Sequence, residues 1–591
     1  YTPIAFQGGL TGALFREFAL TLAGAVLISG IVALTLSPVM SAYFLPEERR
    51  ERGLSARIDR DFNRLKGIYS RLLDATLAAR PAIYVAWVAL SLLAAVMFVM
   101  SARELAPNED QGVIFGIVNT PANSTLEQLA PSIDAVNEMA MSFPETEFTF
   151  QITSPGGGFW GMGLKPWDER ERSAFDLLPI VGERVNEIPA IQTFPVLPPA
   201  LPGGGEFPVE FIVASTAEPS EILDFVNELQ KKATESGMFA FPPLIDVKID
   251  QPESEIHFDR DRVAELGLNL QAVGQELGSA VGGDYVNRFS IAGRSYKVIP
   301  QLERSARLNA NQLQSIYVTK PDGDLIALST FASVRNRVVP RSLNRFQQLN
   351  SVKLSGVAIR PLDEALTFLE TEAAEILPRG YSVDYTGESR QLRKEGNKFL
   401  PAFMLAVVLI FLVLAAQFNS FRDPLVILGG SVPLAMFGAS IFTFLKLPAP
   451  DLTFWTDGWT TTLNVYSQVG LVTLIGLVSK NGILIVEFAN DLQREGYSKL
   501  DAVRNAAAVR LRPVLMTTTA TVFGHFPLTL VSGPGAEARN SIGLVLVGGM
   551  AIGTLFTLFF VPSIYMLFAR DRGQAPTQEK QQIQAVAAPA A

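Results

Sequence analysis

The sequence contains no cysteine, which excludes disulfide bonds and thiol chemistry. Its two histidines, His257 and His525, stand far apart and have no cluster of metal-ligating residues beside them. Zinc motifs, the GxxxxGKS/T phosphate loop, the GxSxG elbow and the Rossmann fingerprint are all absent. We therefore expect no metal site, no cofactor and no catalytic residues, and we expect no ATP-driven machine within this chain.

Charged residues are also scarce, at 18% of the 591 residues, whereas hydrophobic residues make up 48%. The mean hydropathy is +0.25. This balance indicates an integral membrane protein with a large soluble portion. The formal net charge of −9 provides no basic patch that would indicate binding to nucleic acid.

The apolar segment at residues 465–490 contains a charged residue near its middle. This residue is Lys480, and Asn481 follows it. At about 1.5 Å per helical residue, Lys480 stands about 22 Å from one end of the segment and about 15 Å from the other, beyond the roughly 6 Å reach of its side chain. A lysine in that position must face protein or a water-filled path, and such residues commonly move protons, ions or substrates. The alternative is a buried lysine that only holds helices together.

Seven segments are long and apolar enough to cross a membrane. They lie at residues 18–45, 82–101, 399–418, 425–445, 465–490, 513–531 and 542–568. An excess of basic residues places the connecting segments 46–81 and 489–512 on the cytoplasmic side. Because the number of spans is odd and residues 1–10 resemble the end of another span, we expect a preceding span outside this sequence.

These spans divide the chain into regions. Residues 1–45 are expected to hold the end of a preceding span and the first full transmembrane helix, and residues 82–102 the next one. Residues 46–81 predict a cytoplasmic amphipathic helix, although an ordinary soluble connector explains the spacing equally well. Residues 399–568 are expected to form five transmembrane helices, and residues 569–591 a disordered cytoplasmic tail.

The region at residues 103–398 contains no span and alternates strand-like runs with helical stretches. Two successive β-α-β segments predict split β-α-β modules. Residues 260–350 begin with a helical pattern and continue with short strands, which predicts an inserted subdomain. The expected fold class is a membrane α-helical bundle of about seven spans with a large outer α+β region of split β-α-β (ferredoxin-like) modules.

The stretch SPGGGFWGM at residues 154–162 places Phe159 and Trp160 on a glycine-rich run. We expect this run to be a flexible loop. Aromatic residues on a mobile loop can contact apolar ligands, but they can also be tucked into the core. The residues by themselves favour the second interpretation.

Several long strings resemble the C-terminal half of a resistance-nodulation-division transporter of the hydrophobe/amphiphile efflux branch. In the apolar segments these strings are FQGGLTGALFREFALTLAGAVLISGIVALTLSPVMSA (6–42), AAQFNSFRDPLVILGGSVPLAMFGA (415–439), GLVTLIGLVSKNGILIVEFAND (470–491), RLRPVLMTTTATVFGHFPL (510–528) and GPGAEARNSIG (533–543). In the outer region they are GLKPWDER (163–170) and GGDYVNRFSIAGRSYKV (282–298). The resemblance therefore covers nearly all of the chain.

This resemblance implies a homotrimeric antiporter of the bacterial inner membrane that expels small amphiphilic compounds from the periplasm in exchange for protons. It implies two partners, a periplasmic adaptor protein and an outer-membrane channel. The porter subdomains of the family correspond to residues 103–202 and to residues 203–259 with 351–388. The docking subdomain, which faces the channel, corresponds to residues 260–350.

The resemblance also assigns roles to single residues. Lys480, with Asn481 beside it, matches the lysine of the family's proton relay, and Thr517 and Arg510 match two further positions of that path. The relay's paired aspartates belong to an earlier span that this sequence does not contain, so we expect a missing N-terminal half as a partner. The aromatic residues expected at the family's switch loop and drug pocket are Phe150, Phe159, Trp160 and Phe194.

Two alternatives remain open, one within the same superfamily and one from another class of protein. A metal-ion exporter of the same superfamily would favour acidic and methionine ligand clusters in its spans, which this sequence lacks. A membrane-anchored accessory of protein export or assembly would share a proton-relay core. Such an accessory would need neither an aromatic drug pocket nor a docking insertion.

Overall fold

The computed structural model describes residues 8–44, 54–396, 399–444 and 461–571. The expected end of a preceding span falls mainly on residues 1–7, and the expected tail falls mainly on residues 572–591, so both predictions lie outside the described residues. The described residues form a group of long apolar helices and a mixed α/β region.

The chain first forms three helices, α1 (Gly9–Phe44), α2 (Leu54–Ala78) and α3 (Arg80–Met100). α1 and α3 are long and apolar enough to cross a membrane. α2 lies where an amphipathic helix was expected, and Tyr69, Leu73 and Leu77 on one of its faces are buried. α2 therefore packs against the rest of the protein through this face.

Residues 113–196 form one antiparallel sheet with two helices on one face. In chain order the elements are β1 (Val113–Asn119), α4 (Leu126–Met141), β2 (Thr146–Ser154), β3 (Gly157–Leu164), α5 (Ala174–Val185) and β4 (Gln192–Val196). The strands lie in the order β2-β3-β1-β4. Thr125 and Ser173 begin the two helices through capping boxes. The helices and the sheet share a buried core that includes Ile114 and Leu177.

A second sheet begins with β5 (Val209–Ser215), α6 (Pro219–Glu235) and β6 (Leu244–Ile245). The chain then leaves this sheet for an insertion whose elements are β7 (Ile249–Phe258), α7 (Arg260–Glu265), α8 (Leu270–Leu277), β8 (Asn287–Ile291), β9 (Arg294–Val298), α9 (Ala310–Leu313), β10 (Tyr317–Thr319), β11 (Leu325–Ala327) and β12 (Ala332–Pro340). β7 pairs with β12, β8 with β9, and β10 with β11, each in an antiparallel ladder. The β7–β12 ribbon therefore connects the insertion to the second sheet.

The chain returns to the second sheet through β13 (Arg345–Phe346), β14 (Leu349–Gly356), α10 (Leu362–Ile376) and β15 (Ser382–Tyr385). The strand order is β13-β14-β5-β15, and β6 also pairs with β14. Phe211 and Leu354 are fully buried in the core that this sheet shares with α6 and α10.

The end of the chain forms α11 (Gly387–Glu395), α12 (Phe399–Phe418), α13 (Arg422–Phe444), α14 (Val465–Arg494), α15 (Lys499–His525) and α16 (Ala536–Phe568). Glycines allow α13 and α16 to approach closely. A Cβ atom at Gly438 would lie 2.9 Å from the carbonyl oxygen of Gly548, and one at Gly553 would lie 2.9 Å from the Cα atom of Ala435. These contacts, with those of α14 and α15 on α16, form the bundle that carries the candidate site.

Among the described residues, six helices are long and apolar enough to cross a membrane, namely α1, α3, α12, α13, α14 and α16. The expected number of seven spans is therefore not confirmed. The expected span at residues 513–531 overlaps α15, which begins at Lys499, continues through Pro513 and ends at His525. Three arginines within this helix make it less apolar than the other six.

Candidate functional site

Lys480 lies on α14, whose N-terminus is capped by the side chain of Asn464. Gly476, Lys480 and Glu487 are exposed, whereas the neighbouring Asn481 is buried. Positions four and seven residues apart lie on the same face of a helix. The described residues therefore leave one strip of α14 uncovered, and the charge of Lys480 lies in that strip.

Asn481 points about 100° away from Lys480 around the helix and connects α14 to two other helices. Its amide nitrogen donates to the hydroxyl oxygen of Thr518 on α15 at 3.3 Å and to that of Thr554 on α16 at 3.0 Å. The two hydroxyl oxygens lie 3.2 Å apart. All three side chains are buried. This hydrogen-bonded group, the Asn481 junction, holds the helix of Lys480 against its two neighbours, and the sequence analysis did not identify its two threonines.

The other two residues expected in the proton path lie on α15. Thr517 is half-buried and donates to the carbonyl oxygen of Val514 at 3.2 Å, so it points away from the Asn481 junction that its neighbour Thr518 enters. The guanidinium carbon of Arg510 lies 4.7 Å from the ring centre of Phe488 on α14. The Nε atom of Arg510 is buried and has no hydrogen-bond partner in the described part of the chain.

The expectation of a flexible loop at residues 154–162 is wrong. β2 and β3 form a hairpin that pairs Ser154 with Gly157 across a two-residue turn, and Phe159 and Trp160 lie within β3. Neighbouring residues of a strand point to opposite faces of the sheet. Phe159 and Trp160 therefore cannot contact the same ligand.

Trp160 belongs to the core under α4 and α5. Its side chain is 3% exposed, and its indole nitrogen donates to the hydroxyl oxygen of Thr193 at 2.9 Å. Trp160 is therefore a core residue, the position that the second interpretation of the glycine-rich run describes. The expectation that Trp160 contacts substrate does not fit this position, because the ring faces away from the open side of the sheet.

The open face of the first sheet carries a group of aromatic rings, which we call the aromatic face. Phe115, Phe150 and Phe159 form it, with ring centres 5.5 to 6.1 Å apart in edge-to-face arrangements. Each ring is half-buried. The cross-strand pairing of Phe150 with Gly161, and of Phe115 with the same glycine, places these rings on one side of the sheet.

Glycines on β3 provide the space for these rings. A Cβ atom at Gly161 would lie 2.3 Å from the ring of Phe150, and one at Gly163 would lie 2.3 Å from the ring of Phe148. The glycines that predicted a flexible loop therefore have a different role in the structure. The small residues allow aromatic side chains of the adjacent strand to lie flat against the sheet.

Phe194 also lies on the open side of the first sheet, on β4 opposite Ile117. Its ring centre is 4.8 Å from that of Phe241, which in turn lies 6.1 Å from that of Phe207. Phe207 and Phe241 precede and follow the first helix of the second sheet. A row of aromatic rings thus extends from Phe194 on the first sheet toward the second sheet. Its members Phe207 and Phe241 were not among the residues expected from the sequence.

Within the described ranges, no group of three or more acidic or histidine side chains is placed to hold a metal ion. Buried carboxylates of the first sheet instead pair with arginines. Asp110 accepts two hydrogen bonds from Arg170 at 2.9 and 3.0 Å, and Glu145 accepts two from Arg172 at 2.6 and 2.7 Å. Hydrogen bonds from Arg172 hold the pKa of Glu145 below its ordinary value.

A family profile described as the AcrB/AcrD/AcrF family matches residues 1–569 of this chain. The chain belongs to this family. Its members are resistance-nodulation-division transporters, which are multi-pass inner-membrane proteins and secondary active transporters, not enzymes. The AcrB/AcrD/AcrF match confirms the family inferred from the strings around Lys480 and in the outer region.

Relatives in this family carry names that refer to transport. An uncharacterized transporter of Haemophilus influenzae is 37% identical over 587 residues, which are 98% of this chain and 56% of the relative. The multidrug/solvent efflux pump membrane transporter MepB of Pseudomonas putida is 31% identical over 95% of this chain and 54% of its own length. The multidrug export protein AcrF of Escherichia coli is 29% identical over 96% and 56%. The chain thus spans about half the length of the relatives it matches.

Proposed function

We propose that this chain is the C-terminal half of a proton-driven permease that exports amphiphilic compounds across the bacterial inner membrane. The observation that carries the proposal is Lys480, a charge midway along a membrane helix on a strip that the described residues leave uncovered. Such a charge is costly unless a counter-charge or water satisfies it. Relatives named as multidrug and solvent efflux pumps support the direction and the substrate class.

In this proposal, a span of the missing N-terminal half covers the strip and presents carboxylates to Lys480. Protonation of a carboxylate weakens its pairing with the ammonium, which then shifts to another partner and moves α14. The Asn481 junction passes that movement to α15 and α16, and Thr517 and Arg510 line the path. Each proton that moves inward supplies about 2.3 kcal/mol per 100 mV from the electrical part of the gradient.

The α/β region is assigned to the periplasm, with ferredoxin-like porter subdomains at residues 103–202 and at residues 203–259 with 351–388. The alternation of helices and strands around each sheet supports this assignment. Substrates contact the aromatic face and Phe194, while Trp160 supports β3 from the other side. The insertion at residues 260–350 docks toward an outer-membrane channel, with a periplasmic adaptor, in a homotrimer.

The relay is tested by Lys480→Ala in the complete transporter. We expect loss of gradient-driven efflux for every substrate alike, because no ammonium remains to exchange partners with the carboxylates. The measurement is efflux of several chemically unrelated dyes from energised cells. Glu487→Gln, on the same strip but nearer the end of α14, is the matched control and should retain efflux. Loss of some substrates only would contradict the relay role, and robust efflux by residues 1–591 alone would contradict the need for a partner half.

The aromatic face is tested by Phe159→Ala in the same transporter. We expect resistance to fall for some amphiphiles and not for others, because only part of the substrate range uses this ring. Phe175→Ala, at an exposed aromatic residue of α5 on the other side of the same sheet, is the control. Unchanged resistance across a broad panel would exclude substrate contact at this face and favour the accessory of protein export; a selective loss of metal-ion resistance would favour the metal exporter.

A further inference from the structure

α2 is held against the bundle by one buried face. Tyr69, Leu73 and Leu77 pack among residues of α14, α15 and α16 in a common core. The hydroxyl of Tyr69 donates to the carbonyl oxygen of Leu558 on α16 at 2.8 Å. These contacts determine which face of α2 points inward.

Ion pairs at both ends of α2 keep the helix in this rotation about its own axis. The carboxylate of Asp59 pairs with Arg512 and that of Asp74 with Arg504, both arginines being on α15. The guanidinium carbon of Arg512 also lies 4.6 Å from the ring centre of Phe62. Two of the acidic residues of α2 therefore have their charges matched by the bundle.

The arginines of α2 lie on the other side. Arg57, Arg60, Arg64 and Arg71 are exposed and follow one another at spacings of three, four and seven, which places them in one row on the helix. A single aspartate, Asp61, lies beside this row, 3.9 Å from Arg64, and both side chains of that pair are about three-quarters exposed. The outward side of the described part of α2 is therefore strongly basic.

An apolar stripe runs next to the arginine row. Leu65, Ile68 and Leu72 recur at spacings of three and four, and they are 46%, 50% and 52% exposed. They lie at the edge of the core that holds Tyr69 and Leu73, with about half of each side chain exposed. A helix with exposed aliphatic side chains beside a basic row is typical of a helix that lies in the boundary between lipid headgroups and acyl chains. α2 also connects α1 to α3, two helices of membrane-spanning length.

We propose that the outer face of α2 binds anionic phospholipid headgroups of the inner leaflet, with Leu65, Ile68 and Leu72 in the acyl boundary and the arginine row on the phosphates. The inference rests on the proposed orientation, in which α2 is cytoplasmic. Charge complementarity selects the occupant, because Asp59 and Asp74 are turned toward α15 and only Asp61 lies beside the arginine row in the described part of α2. Each arginine near an anionic leaflet raises the affinity for that leaflet about fivefold.

The test is native mass spectrometry of the protein purified from its host membrane and offered phosphatidylglycerol and phosphatidylcholine in equal amounts. We expect the protein to retain phosphatidylglycerol preferentially. The variant R57Q/R60Q/R71Q should reduce that preference at least tenfold, while R57K/R60K/R71K should keep most of it, since charge and not geometry is required. R294Q/R304Q/R335Q, which removes three exposed arginines of the insertion, is the matched control and should change nothing.

Equal preference in R57Q/R60Q/R71Q and the unchanged protein would overturn the proposal, as would an equal loss in the control variant. A protein with no preference for the anionic lipid would overturn it as well. The readout is independent of transport. Lys480→Ala should abolish efflux and leave the lipid preference intact, so a failure of the proposed function is distinguishable from a failure of the lipid site.

Discussion

The amide of Asn481 donates to the hydroxyl oxygen of Thr554 at 3.0 Å, which fastens the helix of Lys480 to α16 at the level of the charged residue. Asn481 and Lys480 are adjacent in sequence and therefore point about 100° apart around the helix. One side chain enters the protein while the other lies on the uncovered strip. A displacement driven at Lys480 must therefore either break the Asn481 junction or carry α16 with it.

The Asn481 junction predicts a measurable coupling between two residues. In a double-mutant cycle of Asn481→Ala with Thr554→Val, we expect a coupling free energy of about 0.5 to 1.7 kcal/mol, the range found for hydrogen bonds between membrane helices. The measurement is reversible unfolding in mixed micelles. Within the described ranges, the hydroxyl of Thr473 bonds only to the carbonyl oxygen of Val469 in its own helix, so the cycle of Asn481→Ala with Thr473→Ala should be additive within about 0.5 kcal/mol. Equal coupling in both cycles would contradict the direct contact.

The aromatic face predicts that Gly161 cannot carry a methyl group. Gly161→Ala would place a Cβ atom 2.3 Å from the ring of Phe150, which must move or force the strands apart. We expect a loss of about 1 to 3 kcal/mol in unfolding free energy, as for other overpacked sites. Tryptophan fluorescence during thermal unfolding measures this loss of stability, since Trp160 lies on the same strand. Gly156→Ala in the hairpin turn, where nothing lies within 4 Å, should have little effect. A neutral Gly161→Ala would show that the ring has room to move.

The pair of Arg170 and Asp110 is the buried ion pair of the first sheet, with side chains 1% and 2% exposed. Arg170→Met should destabilise the protein by about 3 to 5 kcal/mol, because it leaves the charge of Asp110 buried without its partner. The double variant R170M/D110N should recover part of this loss. Lys231→Met, which breaks an exposed pair with Glu235, should cost less than about 1 kcal/mol. Thermal unfolding followed by fluorescence compares the variants, and a double variant as unstable as Arg170→Met would argue against the charge as the cause.

Glu145 predicts a dependence of stability on pH. Its folded-state pKa is held below the ordinary value of 4.5 by hydrogen bonds from Arg172. Because the folded pKa is the lower one, the pair stabilises the protein fully above about pH 4.5, and the contribution disappears as the pH falls through the folded-state pKa. The Tm difference between the protein and Glu145→Gln should therefore be largest near neutral pH and shrink in acid. Glu187→Gln, at an exposed position, serves as the control. A difference that grows in acid would refute the assignment.

The expected alternation of helical stretches with strand-like runs in residues 103–398 follows from hydrophobic periodicity. Helices α4 and α10 lie in this region and bury apolar residues at helical spacing, among them Leu129 and Ile133 on α4 and Leu362 and Leu366 on α10. The prediction at residues 154–162 was wrong because glycine has two uses. It marks a flexible turn in one place and makes room for a ring in another, and the rings that use the room at Gly161 come from other strands.

The sequence shows where a charged residue lies along a helix, but it does not show which neighbouring side chains point into the bundle. Sequence alone identified Lys480 as a residue that needs a partner. The resemblance assigned Thr517 to the proton path and gave no role to Thr518, which is the residue that enters the Asn481 junction. Adjacent residues on a helix differ by about 100° in direction, and only the neighbouring helices establish which direction is inward.

The sequence by itself determined the class of protein, its family, most of its helices and the anomaly of Lys480. Each of these follows from local composition, period or matching strings. Only the tertiary structure decided that Phe159 and Trp160 face opposite sides of a sheet, that Asn481 joins three helices, and that Asp59 and Asp74 of α2 face α15. These relationships depend on strand register and helix rotation, which are set by contacts between residues distant in the chain.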